Sequence, residues 1–146
     1  MRFMMLMIPK GYESAAPGTM PDAKGVEAMM KYNEDLQKAG VLLALDGLHP
    51  PSMGARVSFE GGKPKVTDGP FAEAKEIVAG FWLLEAKSKE EVVEWMKRCP
   101  NPGGDEPGEI EIRPIMGPED FGDALTPELR DQEARLRAEV DAQQKK

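Results

Sequence analysis

The sequence predicts an α+β fold of two strand–helix–strand units with a β-hairpin between them. Three observations carry this. Two amphipathic helical segments with capped starts each follow an apolar run. Glycines between two alternating runs mark a hairpin in mid-chain. Two stretches, 3–8 and 77–84, are apolar on both faces, as central strands of a covered sheet would be.

Taken in order, residues 3–8 form a short buried strand that ends at Pro9-Lys10-Gly11. A loop rich in Gly, Pro, Ser and Ala leads to Asp22, the N-cap of a helix running to Ala39. Met29, Tyr32, Leu36 and Ala39 recur at helical spacing, with Val26 alongside, and Gly40 stops the helix. Residues 41–48 form a second strand, which turns at His49-Pro50-Pro51.

The hairpin joins residues 55–59 to 63–67 through Glu60-Gly61-Gly62, and Pro64 confines its second strand to a sheet edge. Residues 77–86 are the strongest strand in the chain. Ser88-Lys89-Glu90-Glu91 is a capping box for a second helix with Val92, Trp95, Met96 and Cys99 on its buried stripe. That helix ends at Pro100-Asn101-Pro102-Gly103-Gly104, and residues 109–115 alternate as the last strand. The order is that of a ferredoxin-like split βαβ fold with an inserted hairpin. Two helices cover one face of such a sheet. The cheapest cover for the other is a second copy of the chain, so a homodimer is expected.

A domain over 1–116 and a helical extension over 117–146 are expected. Thr126-Pro127-Glu128 opens a C-terminal helix with a thin stripe of Leu129, Leu136 and Val140. Residues 126–146 carry five acids and five bases, so the net charge of −7 falls on the rest of the chain. An acidic chain argues against a nucleic-acid partner. The apolar stretches are too short for a membrane span, and the N-terminal run reads as a strand rather than a signal peptide. A single cysteine, Cys99, allows no intrachain disulfide and fits a cytoplasmic setting.

The motif that stands out is Thr67-Asp68-Gly69-Pro70-Phe71-Ala72-Glu73. With Met1-Arg2-Phe3, Ala39-Gly40-Val41, Gly47-Leu48-His49-Pro50-Pro51, Gly80-Phe81 and Glu111-Ile112-Arg113-Pro114, it resembles the YCII-related, or DGPF, family over residues 1–116. The resemblance implies a ferredoxin-like domain that dimerises as an α/β barrel. It also implies kinship with small isomerases and dehydrochlorinases of cyclic or aromatic acids, some with a proposed His/Asp pair. Many DGPF members resemble products encoded beside extracytoplasmic-function sigma factors, so a regulatory setting is implied too.

Candidate site residues follow, each with a plainer alternative. His49, the sole histidine, suits a general base or acid; otherwise it packs locally. Asp68 suits the partner of such a base; otherwise its carboxylate closes an Asx-turn, with Gly69 supplying an unusual backbone angle. Phe71 is a core plug or a ligand platform. Arg113 clamps a ligand carboxylate, or pairs with Glu73 or Glu111. Asn33 reaches a pocket, or makes a simple hydrogen bond. Glu73, Lys75 and Glu76 read as a solvated rim.

The methionines read as core filler. One histidine and one cysteine without ligand spacing argue against zinc, and no nucleotide-binding glycine motif is found, so no cofactor is expected. The leading expectation is a homodimeric domain binding a small anionic metabolite, extended to a cofactor-free lyase or isomerase using His49 and Asp68. The rivals are an accessory protein for a sigma-factor regulator and a bare dimerisation module.

Overall fold

The computed structural model describes residues 1–18, 20–71, 76–102 and 107–145. Glu73 and Lys75 of the expected rim, and the Gly103-Gly104 turn, lie outside the described residues. The chain divides into two compact units, Met1–Pro114 and Ile115–Lys146.

The first unit is α+β. Its strands are β1 (Arg2–Pro9), β2 (Leu42–Gly47), β3 (Ala55–Glu60), β4 (Lys63–Asp68), β5 (Gly80–Glu85) and β6 (Gly108–Pro114). Its helices are α1 (Ala23–Lys38) and α2 (Lys89–Lys97). Four strands form an antiparallel sheet in the order β2-β5-β1-β6. β3 and β4 form a separate two-stranded sheet.

Local chemistry sets the ends of these elements. The Asp22 carboxylate accepts from the Gly25 N–H at 3.3 Å and caps α1. Gly40, at φ 75°, ends that helix. Ser88 Oγ accepts from the Glu91 N–H at 3.2 Å, while Glu91 reaches back to the Lys87 N–H at 2.9 Å rather than to that of Ser88. Gly61 and Gly62, at φ 58° and 79°, make the hairpin turn.

β5 is shorter than residues 77–86 lead one to expect. It begins at Gly80, opposite Met7 and Gly47, and residues 76–79 lie outside the ladder. At Gly80 the neighbouring strand comes so close that an added Cβ would stand 2.9 Å from the Asp46 carbonyl oxygen. Apolar content alone did not mark that start.

One sheet face carries Phe3, Met5, Trp82 and Leu84. With Tyr32 and Leu36 of α1 and Val92 and Met96 of α2 they form the buried core. The Tyr32 hydroxyl donates to the Trp95 carbonyl at 2.6 Å, tying α1 to α2, and its ring meets Trp82 edge-on at 6.3 Å. No helix among the described residues is long and apolar enough to cross a membrane.

The second unit holds a 3-10 segment, Pro118–Ala124, and α3 (Pro127–Gln144). The Thr126 hydroxyl accepts from the Leu129 N–H at 3.3 Å as the expected cap. Glu133 and Arg137 pair one turn apart. Leu129, Leu136 and Val140 are exposed. The 3-10 segment has no apolar periodicity and was not anticipated from sequence.

Candidate functional site: a pinned corner and an open sheet face

Beyond the end of β2 three connecting segments are pinned together. Leu48 is held twice: its N–H donates to the Ala79 carbonyl at 2.8 Å, and its carbonyl accepts from the Tyr12 hydroxyl at 2.6 Å. Ser52 Oγ donates to the Ala15 carbonyl at 3.0 Å. Gly69 N–H donates to the Gly54 carbonyl at 2.9 Å. The loop after β1, the loop after β2 and the turn after β4 thus form one corner.

Gly69 is there for space. A Cβ would lie 1.7 Å from the Pro51 carbonyl oxygen, inside any van der Waals distance. Its φ is not in the left-handed region, so the expected unusual backbone angle is corrected to a close approach of two chain segments. The Gly69–Pro70 peptide bond is cis. The expected Asx-turn at Asp68 is not formed among the described residues. Its carboxylate makes no hydrogen bond to any of them, and the Gly54–Gly69 backbone bond closes the corner instead.

Phe71 is half-buried but does not join the core cluster, so it is no core plug. The Arg56 guanidinium lies over its ring, 3.9 Å from the centroid. Pro70 and Phe71 line a groove of 590 Å³ with Ser52 and the loop from Glu13 to Pro17. Tyr12, Ser52 and Arg56 were not singled out from sequence. The one available signal was a tyrosine stranded in a Gly- and Pro-rich loop, where an aromatic needs an anchor.

His49 is exposed, between the doubly held Leu48 and the buried Pro50 and Pro51. It makes no hydrogen bond with Asp68, which is exposed at the end of β4. Asp68 pairs with Ala55 across the hairpin, so it shares a side with Val57 and Val66, opposite Arg56. The corner therefore gathers their two segments without joining the side chains.

Arg113 belongs to another surface. On the uncovered face of the main sheet, cross-strand rows read Ala44–Leu83–Met4–Arg113 and Asp46–Phe81–Leu6–Glu111. The middle of this face is apolar. The rim is charged and includes Glu109 as well as Arg113 and Glu111, because β6 alternates these with Ile110 and Ile112. Arg113 is exposed and makes no ion pair among the described residues, so Glu111 does not hold it; the expected alternative partner, Glu73, lies outside those residues. It lies three strand spacings from β2, roughly 14 Å across, and His49 lies five residues beyond Ala44, roughly 16 Å along. Within one chain Arg113 and His49 do not meet.

Asn33 is half-buried on α1. Its side-chain oxygen accepts from the Trp82 indole N–H at 2.8 Å. That bond satisfies a donor on a core residue only 2% exposed, so Asn33 has a structural task. Burial pushes the Cys99 thiol up to about 12, and its Sγ donates to the Pro100 carbonyl at 3.2 Å.

Over 78 residues the chain is 33% identical to an uncharacterized protein of Rhizobium meliloti (strain 1021), a stretch that is 53% of this chain and 62% of that relative. It thus spans under two thirds of that relative's length. The YCII-related domain profile matches residues 1–119, which takes in the whole sheet, both helices and the pinned corner, so the chain belongs to the YCII-related family.

Proposed function

We propose that this chain is a ferredoxin-like, homodimeric protein that binds a small anionic metabolite over its uncovered sheet face. The strand order β2-β5-β1-β6, with α1 and α2 on one face, supports the split βαβ reading. A dimeric α/β barrel follows when two such faces meet. The observation that carries the binding role is the make-up of the face itself. An apolar floor of Met4, Leu6, Phe81 and Leu83 has Arg113, a cation with no ion pair among the described residues, on its rim. An unpaired guanidinium beside an apolar floor suits a carboxylate on a ring or a short chain.

A thermal-shift series tests this. Aromatic and alicyclic carboxylates are compared with their neutral amides on the wild type, Arg113→Ala and His49→Ala. A carboxylate at a hundred times its dissociation constant stabilises the native state by about 2.7 kcal/mol. The expected result is a shift for carboxylates alone, lost in Arg113→Ala. Equal shifts in wild type and Arg113→Ala overturn the assignment of the face. No shift from any ligand favours the bare dimerisation module.

The catalytic extension, a cofactor-free lyase or isomerase, gives a proton to His49 with Asp68 beside it. Its support is that both groups are exposed, have no side-chain partner among the described residues and are carried on one pinned corner. Against it stands the lack of any bond between them. His49→Ala with intact ligand shifts and unchanged ligand chemistry would remove it.

A second reading rests on α3. Its stripe of Leu129, Leu136 and Val140 is 44%, 59% and 40% exposed, as a helix awaiting a groove would be. Under this reading the protein is an accessory to a sigma-factor regulator. Deleting residues 118–146 then leaves a folded dimer that no longer captures the regulator; undiminished capture overturns the role of the helix.

A further inference from the structure

The groove beside the pinned corner is not lined by His49, Asp68 or Arg113. Its 590 Å³ falls within the roughly 300–1,000 Å³ of a small-molecule site. Ala15, Pro70 and Phe71 give it apolar walls, and Ser14 and Ser52 bring hydroxyls. Both hydroxyls donate to backbone carbonyls, Ser14 to Gly11 at 3.1 Å and Ser52 to Ala15 at 3.0 Å, and keep lone pairs for a ligand. Glu13, the acid of the lining, is engaged by the Gly11 N–H at 3.1 Å. The Ser52–Ala15 and Gly69–Gly54 bonds hold the walls in place, so the groove is formed before any ligand arrives.

The charge beside it is positive, in a chain whose net charge is −7. The Arg56 guanidinium lies over the Phe71 ring, 3.9 Å from its centroid. A guanidinium stacked by its face keeps its in-plane N–H groups for an acceptor. Arg56 has no ion pair among the described residues. On the same side of the β3–β4 ladder stand Thr67, directly opposite Arg56, and the facing pair Ser58 and Lys65. Arg56 and Lys65 are diagonal neighbours, about 7–8 Å apart. Two cations and two hydroxyls thus occupy four adjacent positions with no acid among them. Glu60 stands beyond them, opposite Lys63, and Asp68 lies on the other side of the ladder.

This donor set selects the anion. A carboxylate has two oxygens, which one guanidinium fork saturates. A phosphate monoester has three acceptor oxygens and nearly two charges, which match a guanidinium, an ammonium and neighbouring hydroxyls. The groove selects the rest of the ligand, since Phe71 and Pro70 offer a ring and a flat apolar wall for an aromatic group to stack on. The guanidinium sits 3.9 Å from the ring that lines the groove, so one small molecule reaches both.

We propose that the corner groove is a second binding site, for a small aromatic or heteroaromatic phosphate monoester. Its ring enters the groove against Phe71 and Pro70, and its phosphate meets Arg56, Lys65 and the Thr67 and Ser58 hydroxyls. The site stands apart from the sheet face and needs no second copy of the chain.

Isothermal titration of the full chain tests it, with phenyl phosphate, inorganic phosphate, phenol and benzoate as probes. The wild type is compared with Arg113→Gln, which removes the sheet-face cation. Arg56→Gln, Lys65→Gln and Phe71→Leu are then made in the Arg113→Gln background. Phenyl phosphate is expected to bind both starting proteins, and in Arg113→Gln at least tenfold more tightly than the other three probes. Arg56 and Lys65 are exposed, so their substitution leaves the fold nearly untouched. Each should weaken phenyl phosphate about tenfold, the loss of one charged hydrogen bond. Phe71→Leu should weaken it about threefold to tenfold. Should that half-buried position not tolerate leucine, the comparison of phenyl phosphate with inorganic phosphate decides the role of the ring.

Equal affinity for phenyl phosphate with and without Arg56 and Lys65 overturns the site, as does no binding at tens of millimolar. Binding that disappears in Arg113→Gln moves the ligand to the sheet face; it overturns the groove and leaves the sheet-face reading standing. Inorganic phosphate that binds as tightly as phenyl phosphate overturns the assignment of the ring to the groove. A phosphotyrosine peptide that binds more than tenfold tighter than phenyl phosphate makes the occupant a protein segment and overturns the small-molecule assignment.

Discussion

The two faces of the main sheet are built from alternate residues of the same strands, yet they do different work. On one face Phe3, Met5, Trp82 and Leu84 vanish under α1 and α2. On the other, Met4, Leu6, Phe81 and Leu83 remain half-exposed within a rim of Asp46, Glu109, Glu111 and Arg113. The contrast separates two kinds of apolar residue. Those of the first face hold the monomer together. Those of the second stay partly open to solvent, which is what the proposed ligand and dimer roles draw on.

Substitutions at neighbouring positions of β5 break or sharpen this comparison. The largest effect is expected at Trp82 and Leu84. Trp82→Ala should cost about 3–5 kcal/mol and Leu84→Ala about 2–5 kcal/mol in denaturant unfolding, through lost burial and the cavity left behind. Leu83→Ala, one residue away, should cost the isolated monomer under about 1 kcal/mol but weaken dimerisation. Equal losses of monomer stability at Leu83 and Leu84 would show that the second face is covered within the chain.

Next in size is Asn33. Asn33→Ala leaves the buried Trp82 indole N–H without its acceptor and should cost about 1–3 kcal/mol. A loss of carboxylate-induced thermal shift without loss of stability would instead return Asn33 to the ligand site.

The smallest effect is a pH dependence from the helix-covered side. Burial pushes the Cys99 thiol up from its ordinary 9.0 to about 12. It also raises the Tyr32 hydroxyl, with Cys99 and then Arg98 as lesser influences, the last in the opposite sense. A raised folded value means that the unfolded chain releases these protons first. The stabilisation is complete below pH 9 and is lost as pH rises through the folded value, near 12 for Cys99. Melting temperature should fall over that interval, and Cys99→Ala should flatten the fall. A native thiol that alkylates at pH 8 as fast as the denatured one would refute the burial of Cys99.

Much of this was written in local chemistry. Asp22, Gly40, Ser88 and Thr126 placed the helix ends, because caps are decided by a few adjacent atoms. Gly61-Gly62 placed the hairpin turn. The alternation of Ile110 and Ile112 with Glu109, Glu111 and Arg113 indicated two faces for β6. The site was less legible. His49, Asp68 and Arg113 lie at strand ends or on strands, but nothing local says which of them meet.

By itself, then, the sequence determined the α-helices and strands, their order and the family, though neither the start of β5 nor the 3-10 segment Pro118–Ala124, because periodicity, capping and turn chemistry act over a few residues. Only the tertiary structure decided that Gly69 serves a close approach to Pro51, that Asn33 serves Trp82, that Phe71 serves Arg56, and that Arg113 stands three strands away from β2. Each of these depends on contacts between residues distant in the chain, and strand order, which no local pattern encodes, is what brings them together or keeps them apart.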